Sequence, residues 1–277
     1  MNKKQLIMEK ALDLFAKQGF ETTSVQQITE HCGISKGAFY LSFKSKDELI
    51  LSLIDYFMTQ FISDIDYQVK NANNDELLFK FYHTTFQSFV QHSDFAKILM
   101  NEQAQTFHKK ELIEKMHIYD RLLDKVTLTM VERLYGEEII HTKYDLVYCI
   151  KGLMSNYSKL LLFYNAPLDL KLLSASLVEK TNLLAKHATI AFISEDFIQL
   201  IELPAQKEVT KEQLLEMIAQ KIEETEESIE KESLILLKQQ LLQPTLSPAI
   251  IKGLIENIRN HPHCKWISYL LRSYFNL

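Results

Sequence analysis

Glycine, proline and valine are all scarce in this 277-residue sequence. Glycine and proline together supply 11 residues, about a third of their usual share of a globular protein. Eight valines stand against 41 leucines. Because leucine favours helices and valine favours strands, this composition disfavours β-sandwiches, barrels and parallel α/β sheets. The composition therefore predicts an all-α fold.

Cysteine and long apolar runs are also in short supply. The three cysteines, Cys32, Cys149 and Cys264, are odd in number and none has CxxC spacing, which argues against a disulfide framework. No apolar run approaches the roughly 18 residues of a membrane helix, and charge begins at Lys3, too early for a signal peptide. We expect a cytoplasmic protein without a membrane partner.

The usual signatures of catalysis are missing. The sequence has no P-loop, no HExxH, no GxSxG and no dinucleotide-binding glycine pattern. His261, His263 and Cys264 lie close together near the C-terminus, but a structural zinc site needs a second ligand cluster, which is absent. We therefore expect no enzyme, no metal and no cofactor.

Charge is unevenly distributed along the chain. The overall net charge is -5, yet residues 1–46 carry a balance of +3 and residues 202–232 a balance of -6. An anionic partner such as nucleic acid requires favourable charge only where contact is made. The N-terminal end is therefore the place to look for such a contact, and the Glu-rich stretch 223–232 predicts a solvated helix face.

Three of the six glycines, Gly19, Gly33 and Gly37, fall within 19 residues of one another in a segment with helical periodicity. Such crowding predicts tight turns between short helices. A helix, a turn of three or four residues containing glycine, and a second helix form the helix-turn-helix pattern. Here Cys32-Gly33-Ile34 is the predicted turn, and Ser35 caps the helix that would enter a major groove.

The order and spacing of a dozen residues in this segment make the resemblance specific. The segment resembles the DNA-binding region of the TetR/AcrR family of bacterial one-component repressors over about residues 5–55. The matching residues are Gly19-Phe20, Thr23-Ser24-Val25, Ile28, Gly33-Ile34-Ser35, Gly37, Phe39-Tyr40, Phe43, Lys46 and Leu49. Ser42 departs from the pattern, since many relatives have histidine or tyrosine there, so a phosphate contact at this position is lost or made through water.

The resemblance implies an all-helical homodimer that binds an operator in double-stranded DNA and is released by a small effector. The implied organisation is a three-helix DNA-binding domain at 1–46, a linking helix at about 46–70, an effector-binding and dimerisation domain within 47–204, and a helical extension at 205–277. Activation in place of repression stays open. Helices at about 142–164 and 169–193 are expected to form a four-helix bundle across the twofold axis.

Side-chain chemistry assigns roles within the DNA-binding segment. Hydroxyls and backbone N–H groups at a helix start suit phosphate, lysine suits phosphate or a base edge, and glycine lets the backbone approach DNA closely. The predicted DNA-binding residues are Thr23, Ser24, Gln26, Ser35, Lys36, Gly37, Tyr40, Lys44 and Lys46.

The middle of the chain is rich in aromatic side chains at helical spacing and has few cationic groups among them. This favours an apolar or aromatic effector over a phosphorylated metabolite. The predicted effector-binding residues are Phe86, His117, Tyr148, Asn156 and Tyr157.

The residues beyond 205 exceed the length expected of the family. The amphipathic stretch 211–242 permits either a subdomain that covers the effector-binding domain or an added dimerisation arm. It also suggests an alternative function, a helical scaffold or partner-binding protein that uses this acidic region. Salt-dependent binding to a palindromic duplex separates the alternatives, because a scaffold does not predict it.

Overall fold

A computed structural model describes residues 3–102, 110–164, 168–195, 197–198, 209–261 and 263–277. In these ranges the secondary structure is helical and contains no strand, so the predicted all-α fold is confirmed. The chain divides into two compact units, residues 1–200 and 201–277. The predicted boundary at 204/205 lies outside the described residues.

The first unit begins with three short helices that form the head, residues 3–45: α1 (Lys3–Gln18), α2 (Val25–Cys32) and α3 (Lys36–Tyr40). Helical spacing places apolar residues of all three on one inner side, where burial stabilises them. The rings of Phe15 and Phe20 meet edge to face at 5.1 Å. The buried core of the head consists of Ile7, Ala11, Phe15, Phe20, Ile28, Phe39 and Phe43.

Six further helices, α4 to α9, follow the head in the described part of the first unit. Helix α4 begins at Lys46, is capped by Ser45, and runs without a break to Asn71. It packs against α5 and α7, while α5 also packs against α8 and α9. The bounds of the remaining helices are α5 (Asn74–Gln91), α6 (Ser93–Glu102), α7 (Lys110–Tyr135), α8 (Lys143–Phe163) and α9 (Leu170–His187), with a 3-10 turn at Gly136–Ile139 after α7.

Helix α9 is shorter than predicted, ending at His187 instead of near 193. Ala188 adopts an extended conformation, and the chain continues past it without helix to Ile193. The Asp145 carboxylate on α8 accepts hydrogen bonds from the backbone N–H groups of Phe192 and Ile193, both at 3.0 Å. The Asp145 carboxylate thus takes the place of the backbone carbonyls that would accept from these two N–H groups in a longer helix.

Within residues 209–261 and 263–277, the second unit has four helices around their own core: α10 (Lys211–Glu224), α11 (Ile229–Leu242), α12 (Pro248–Arg259) and α13 (Lys265–Phe275). The predicted continuous stretch 211–242 is broken. Thr225 leaves the helix and turns its hydroxyl back to the Lys221 carbonyl at 2.7 Å, and Ser228 caps a new helix. The core includes Leu214, Ile218, Leu234, Leu237, Ile255, Cys264 and Leu271.

Neither a membrane span nor a metal cluster is found in the described ranges: no helix there is long and apolar enough to cross a bilayer, and no three His, Cys, Asp or Glu side chains group as metal ligands. Near the C-terminus, the Cys264 Sγ lies 3.5 Å from His261 Nδ1. Burial raises the pKa of the Cys264 thiol to about 11, so it stays protonated near neutral pH.

A buried ion pair between Arg272 and Glu256 joins α13 to α12 in the second unit. Arg272 is almost fully buried and Glu256 is partly exposed. We expect Glu256→Gln to lower the free energy of unfolding by about 2–3 kcal/mol, because it leaves a buried guanidinium with less compensating charge. Trp266, the single tryptophan, packs against this core, so urea unfolding followed by its fluorescence reports on this unit.

The matched control is Glu227→Gln, which breaks the solvent-exposed pair between Glu227 and Lys231. Exposed pairs contribute little, so this change should alter the free energy of unfolding by about 0.5 kcal/mol or less. Equal unfolding midpoints for the two variants would show that the buried pair does not stabilise the unit.

Candidate DNA-binding site

The turn between α2 and α3 fixes the position of α3, which is the recognition helix expected to enter the major groove. Gly33 ends α2 with φ +66°, and its N–H donates to the carbonyls of Glu30 and Thr29. The N–H of Ile34 donates to the Thr29 carbonyl at 3.0 Å. A Cβ at Gly33 would meet no atom within 4 Å, so the backbone conformation, and not crowding, accounts for glycine here.

Serine caps begin both helices of the motif, as the sequence predicts. The Ser24 Oγ accepts from the Gln27 N–H at 3.2 Å, and the Gln27 side chain accepts from the Ser24 N–H at 2.8 Å, a reciprocal capping box. The Ser35 Oγ accepts from the Ala38 N–H at 3.2 Å. Both serines are exposed, and each hydroxyl still has a proton to donate.

Hydrogen bonds between exposed polar side chains connect α2 and α3. The Lys36 ammonium donates to the Gln26 Oε1 at 3.4 Å, and the Gln26 Nε2 donates to Glu30 Oε1 at 2.9 Å. These contacts hold the Lys36 side chain beside α2, while Gly37 next to it is exposed. Gln26, Lys36 and Gly37 are therefore placed on one surface of the head.

Tyr40 and Lys44 extend this surface beyond the recognition helix. The Tyr40 side chain is 52% exposed, and its ring meets the buried Phe39 ring edge to face at 5.4 Å. Lys44 is exposed, and its backbone N–H donates to the Glu48 carboxylate at 2.5 Å. The Ser42 hydroxyl turns inward to the Ala38 carbonyl at 3.4 Å. The phenol and the ammonium thus remain accessible to a phosphate.

Thr23 has a different role from the predicted phosphate contact. Its side chain is buried. Its hydroxyl donates to the Gly19 carbonyl at 2.7 Å and accepts from the Gln18 Nε2 at 3.0 Å, and its N–H donates to the Phe20 carbonyl at 3.2 Å. Both groups offered for phosphate binding are therefore used to hold the turn between α1 and α2.

Lys46 makes internal contacts in the head, and the phosphate contact predicted for it stays a prediction. Its ammonium donates to the carbonyls of Phe20, Glu21 and Thr23 at 2.7, 3.2 and 3.0 Å, and it lies 4.3 Å from the centre of the Phe20 ring. An ammonium has three protons, so these three carbonyls use its donor capacity. Lys46 ties the first turn of α4 to the α1–α2 turn.

The predicted effector-binding residues do not share one enclosed environment. Phe86 is fully buried and its ring lies 6.3 Å from that of Tyr82. Tyr157 is half-buried, whereas His117, Tyr148 and Asn156 are exposed. The structure therefore does not bring the last three together with Phe86, and their predicted contact with an effector stays a prediction.

A polar cluster between α4 and α7 was missed from the sequence. The Lys115 ammonium contacts the Asp55 carboxylate at 2.5 Å, and the Tyr119 hydroxyl donates to Asp55 Oδ1 at 2.5 Å. Burial, and then the Asp55 charge, raises the pKa of Tyr119 well above its usual range, so the phenol stays a donor. The partners lie about 60 residues apart, and no local pattern links them.

Comparison with known proteins agrees with this geometry. Residues 7–53 match the model for bacterial regulatory proteins of the tetR family. Over 270 residues the chain is 31% identical to the uncharacterised HTH-type transcriptional regulator YerO of Bacillus subtilis strain 168, covering 92% of this chain and 89% of that protein.

Solved structures share the fold over about two thirds of this chain. A transcriptional regulator of the TetR/AcrR type from Aquifex aeolicus VF5 is 26% identical with a TM-score of 0.52, covering 66% of this chain and 99% of that one. FadR from Bacillus subtilis, crystallised with stearoyl-CoA, is 23% identical with a TM-score of 0.52, covering 67% and 99%.

The head has the two capped helices and the glycine turn that its sequence pattern requires, and the similarity to YerO continues beyond the head through most of the chain. The chain therefore belongs to the tetR family of bacterial regulatory proteins, and it is a DNA-binding transcriptional regulator.

Proposed function

We propose that this protein is a cytoplasmic transcriptional repressor that binds a palindromic operator as a homodimer and is released by a small effector. The observation that carries the proposal is the exposed face of the recognition helix, with Lys36, Gly37 and Tyr40 held on a rigid turn beside Gln26. A helix with an open backbone, a cation and a phenol on one face suits the major groove and its flanking phosphates.

The DNA contacts divide by chemistry. Lys36 and Gly37 lie at the start of the recognition helix, where base edges are read, while Ser24, Gln26, Ser35, Tyr40 and Lys44 contact phosphates. One head offers few base contacts. Two heads held about 34–36 Å apart, one turn of DNA, gain affinity because the second binds at a high effective concentration.

The outer face of α8 supports the homodimer. At every fourth position it carries Tyr148, Gly152, Asn156 and Leu160, of which three are exposed and Gly152 is half-buried. Glycine in a helix interior weakens the helix, and a Cβ at Gly152 would meet nothing within 4 Å, so the chain alone does not need it. A partner helix packed closely against this face accounts for both features.

We infer that the effector is apolar or aromatic, because the interior of the first unit is lined with aromatic side chains. The rings of Phe61, Phe89, Phe86 and Tyr82 follow one another at 5.5, 6.4 and 6.3 Å, and Phe86 and Tyr157 are the predicted contacts whose side chains are buried or half-buried. The stearoyl-CoA bound to FadR, which shares the fold, is consistent with a ligand that has a long apolar part. Effector binding beside α4 would change the spacing of the two heads.

The direct test starts from duplexes enriched from random DNA by the intact protein. A repressor of this kind should enrich an inverted repeat, bind it as a dimer with strong salt dependence, and reduce transcription in vitro from a promoter that contains it. An acyl-chain or aromatic compound should release the complex in a mobility-shift titration. Failure to enrich any palindrome would favour the scaffold alternative.

Lys44 and Lys46 should behave differently when each is replaced by alanine. Lys44→Ala should flatten the dependence of log Kd on log salt by about two units, one phosphate contact of about 0.9 in each head, without changing stability. Lys46→Ala should leave that slope unchanged and destabilise the head by about 1–3 kcal/mol, because three carbonyls lose a charged donor. Salt titrations and thermal unfolding of both variants measure this. A flatter slope with unchanged stability in Lys46→Ala would instead support its predicted phosphate contact.

Gly37→Ala tests close approach of the recognition helix to DNA. The added Cβ would have Ser35 Oγ at 3.8 Å as its nearest neighbour, and alanine favours a helix by up to about 1 kcal/mol, so stability should hold or rise. Operator affinity should nevertheless fall about tenfold or more, a loss of at least about 1.4 kcal/mol. The control is Gly253→Ala on α12, which makes the same change in open space. Equal operator affinity of both variants would exclude close approach at Gly37.

Leu160→Glu tests the dimer face. A charge buried against the partner helix at Leu160 should convert the dimer, twice 32.4 kDa, into a species of 32.4 kDa in sedimentation equilibrium. Leu236→Glu on α11 is the matched control, because both leucines are 41% exposed, and it should remain dimeric. Dissociation by Leu236→Glu alone would place the interface in the second unit, as an added dimerisation arm.

A further inference from the structure

Leu41, the residue after the recognition helix, has a strongly exposed apolar side chain. Its side chain is 89% exposed, more than any other large apolar side chain of the described residues. It lies beside Tyr40 and on the DNA-binding surface proposed above. An isolated exposed leucine is ordinary on a protein surface, but the backbone around Leu41 and the surface beside it distinguish this one.

Backbone hydrogen bonds of Leu41 and of the two residues after it direct the Leu41 side chain outward. Leu41 has helical φ and ψ of -71° and -24°, and its N–H donates to the Gly37 carbonyl at 3.1 Å. The next two N–H groups, of Ser42 and Phe43, donate to the Phe39 carbonyl at 2.8 and 2.9 Å. Phe39 and Phe43 are buried in the core of the head, so the core is complete without Leu41 and fixes its direction.

Leu41 and Gly37 lie one helical turn apart, which places them on the same face of the recognition helix. Gly37 contributes no side chain and is itself exposed. The surface next to Leu41 is therefore open, and a base edge in the major groove can reach the leucine without passing another side chain on that turn.

The chemical groups in the major groove determine which base an apolar side chain can recognise. Every base edge in the major groove presents hydrogen-bond donors or acceptors, and thymine alone among the four standard bases adds an apolar group, the C5-methyl. Phosphates are charged and hydrated, so a leucine gains nothing by facing them. We propose that Leu41 reads thymine in each half-site through the C5-methyl group. This rests on the proposed function, and it assigns sequence readout to a side chain that cannot form hydrogen bonds.

The experiment removes the methyl group and the leucine separately and together. The intact wild-type protein first enriches its operator from random duplexes. Each thymine of that operator is then replaced by uracil, symmetrically in both half-sites, and Kd is measured by fluorescence anisotropy for wild type and Leu41→Ala at one fixed salt concentration.

At one thymine position, uracil should weaken wild-type binding about fourfold per half-site, or about fifteenfold for both. The factor follows from about 0.8 kcal/mol for a buried methyl-sized group and 1.4 kcal/mol for each factor of ten. Leu41→Ala should bind the thymine duplex with a similar loss and show no further loss with uracil at that position. Comparing both proteins on both duplexes cancels any effect of uracil on the shape of the DNA.

Two controls keep the result specific. Leu242→Ala, the same change at an exposed leucine of the second unit, should retain the full uracil effect. Thermal unfolding of Leu41→Ala should match wild type, because the side chain is outside the core.

Three results would overturn the inference, and they can be told apart. If no duplex is enriched, the proposed function itself fails. If an operator is bound but every uracil affects wild type and Leu41→Ala equally, only the methyl contact fails. If Leu41→Ala loses affinity without any coupling to uracil, Leu41 contacts the DNA elsewhere and does not read thymine.

Discussion

The Lys46 ammonium, with its three carbonyl partners, is the constraint on which the head depends. It fixes the turn between α1 and α2 to the first turn of α4. The buried Thr23 hydroxyl braces the same turn from inside. Because charged donors make strong hydrogen bonds and the Phe20 ring lies against the cation, α4 and the head move together.

Helix α4 connects the head to the rest of the first unit, and α6 also packs against α1. Nine residues beyond Lys46, Asp55 contacts Lys115 and Tyr119 of α7. The same helix is thus held by polar contacts at two levels, at the head and at α7. In the proposed switch, a ligand that alters the packing of α4 against α7 would change the direction of α4 and with it the position of the recognition helix.

Local signals explain why the head could be predicted from sequence in such detail. Gly33, Ser24 and Ser35 act within four residues of themselves, through a positive φ and through caps, so their spacing alone carries the information. The internal contacts of Lys46 could not be predicted in this way, because its carbonyl partners lie 23 to 26 residues earlier in the chain. The same limit applies to α9, whose end depends on Asp145, a residue more than 40 positions earlier.

The second unit has a hydrophobic core of its own. It buries its own leucines and isoleucines and contains its own buried ion pair, so its stability has a source within residues 209–277. Solved structures of the family fold cover about two thirds of the chain, whereas YerO aligns over 92% of it. The unit beginning at 201 is more than a quarter of the chain, so most of it must lie within that alignment. YerO thus shares this addition to the common fold. The sequence of the extension encodes a second hydrophobic core as well as a surface.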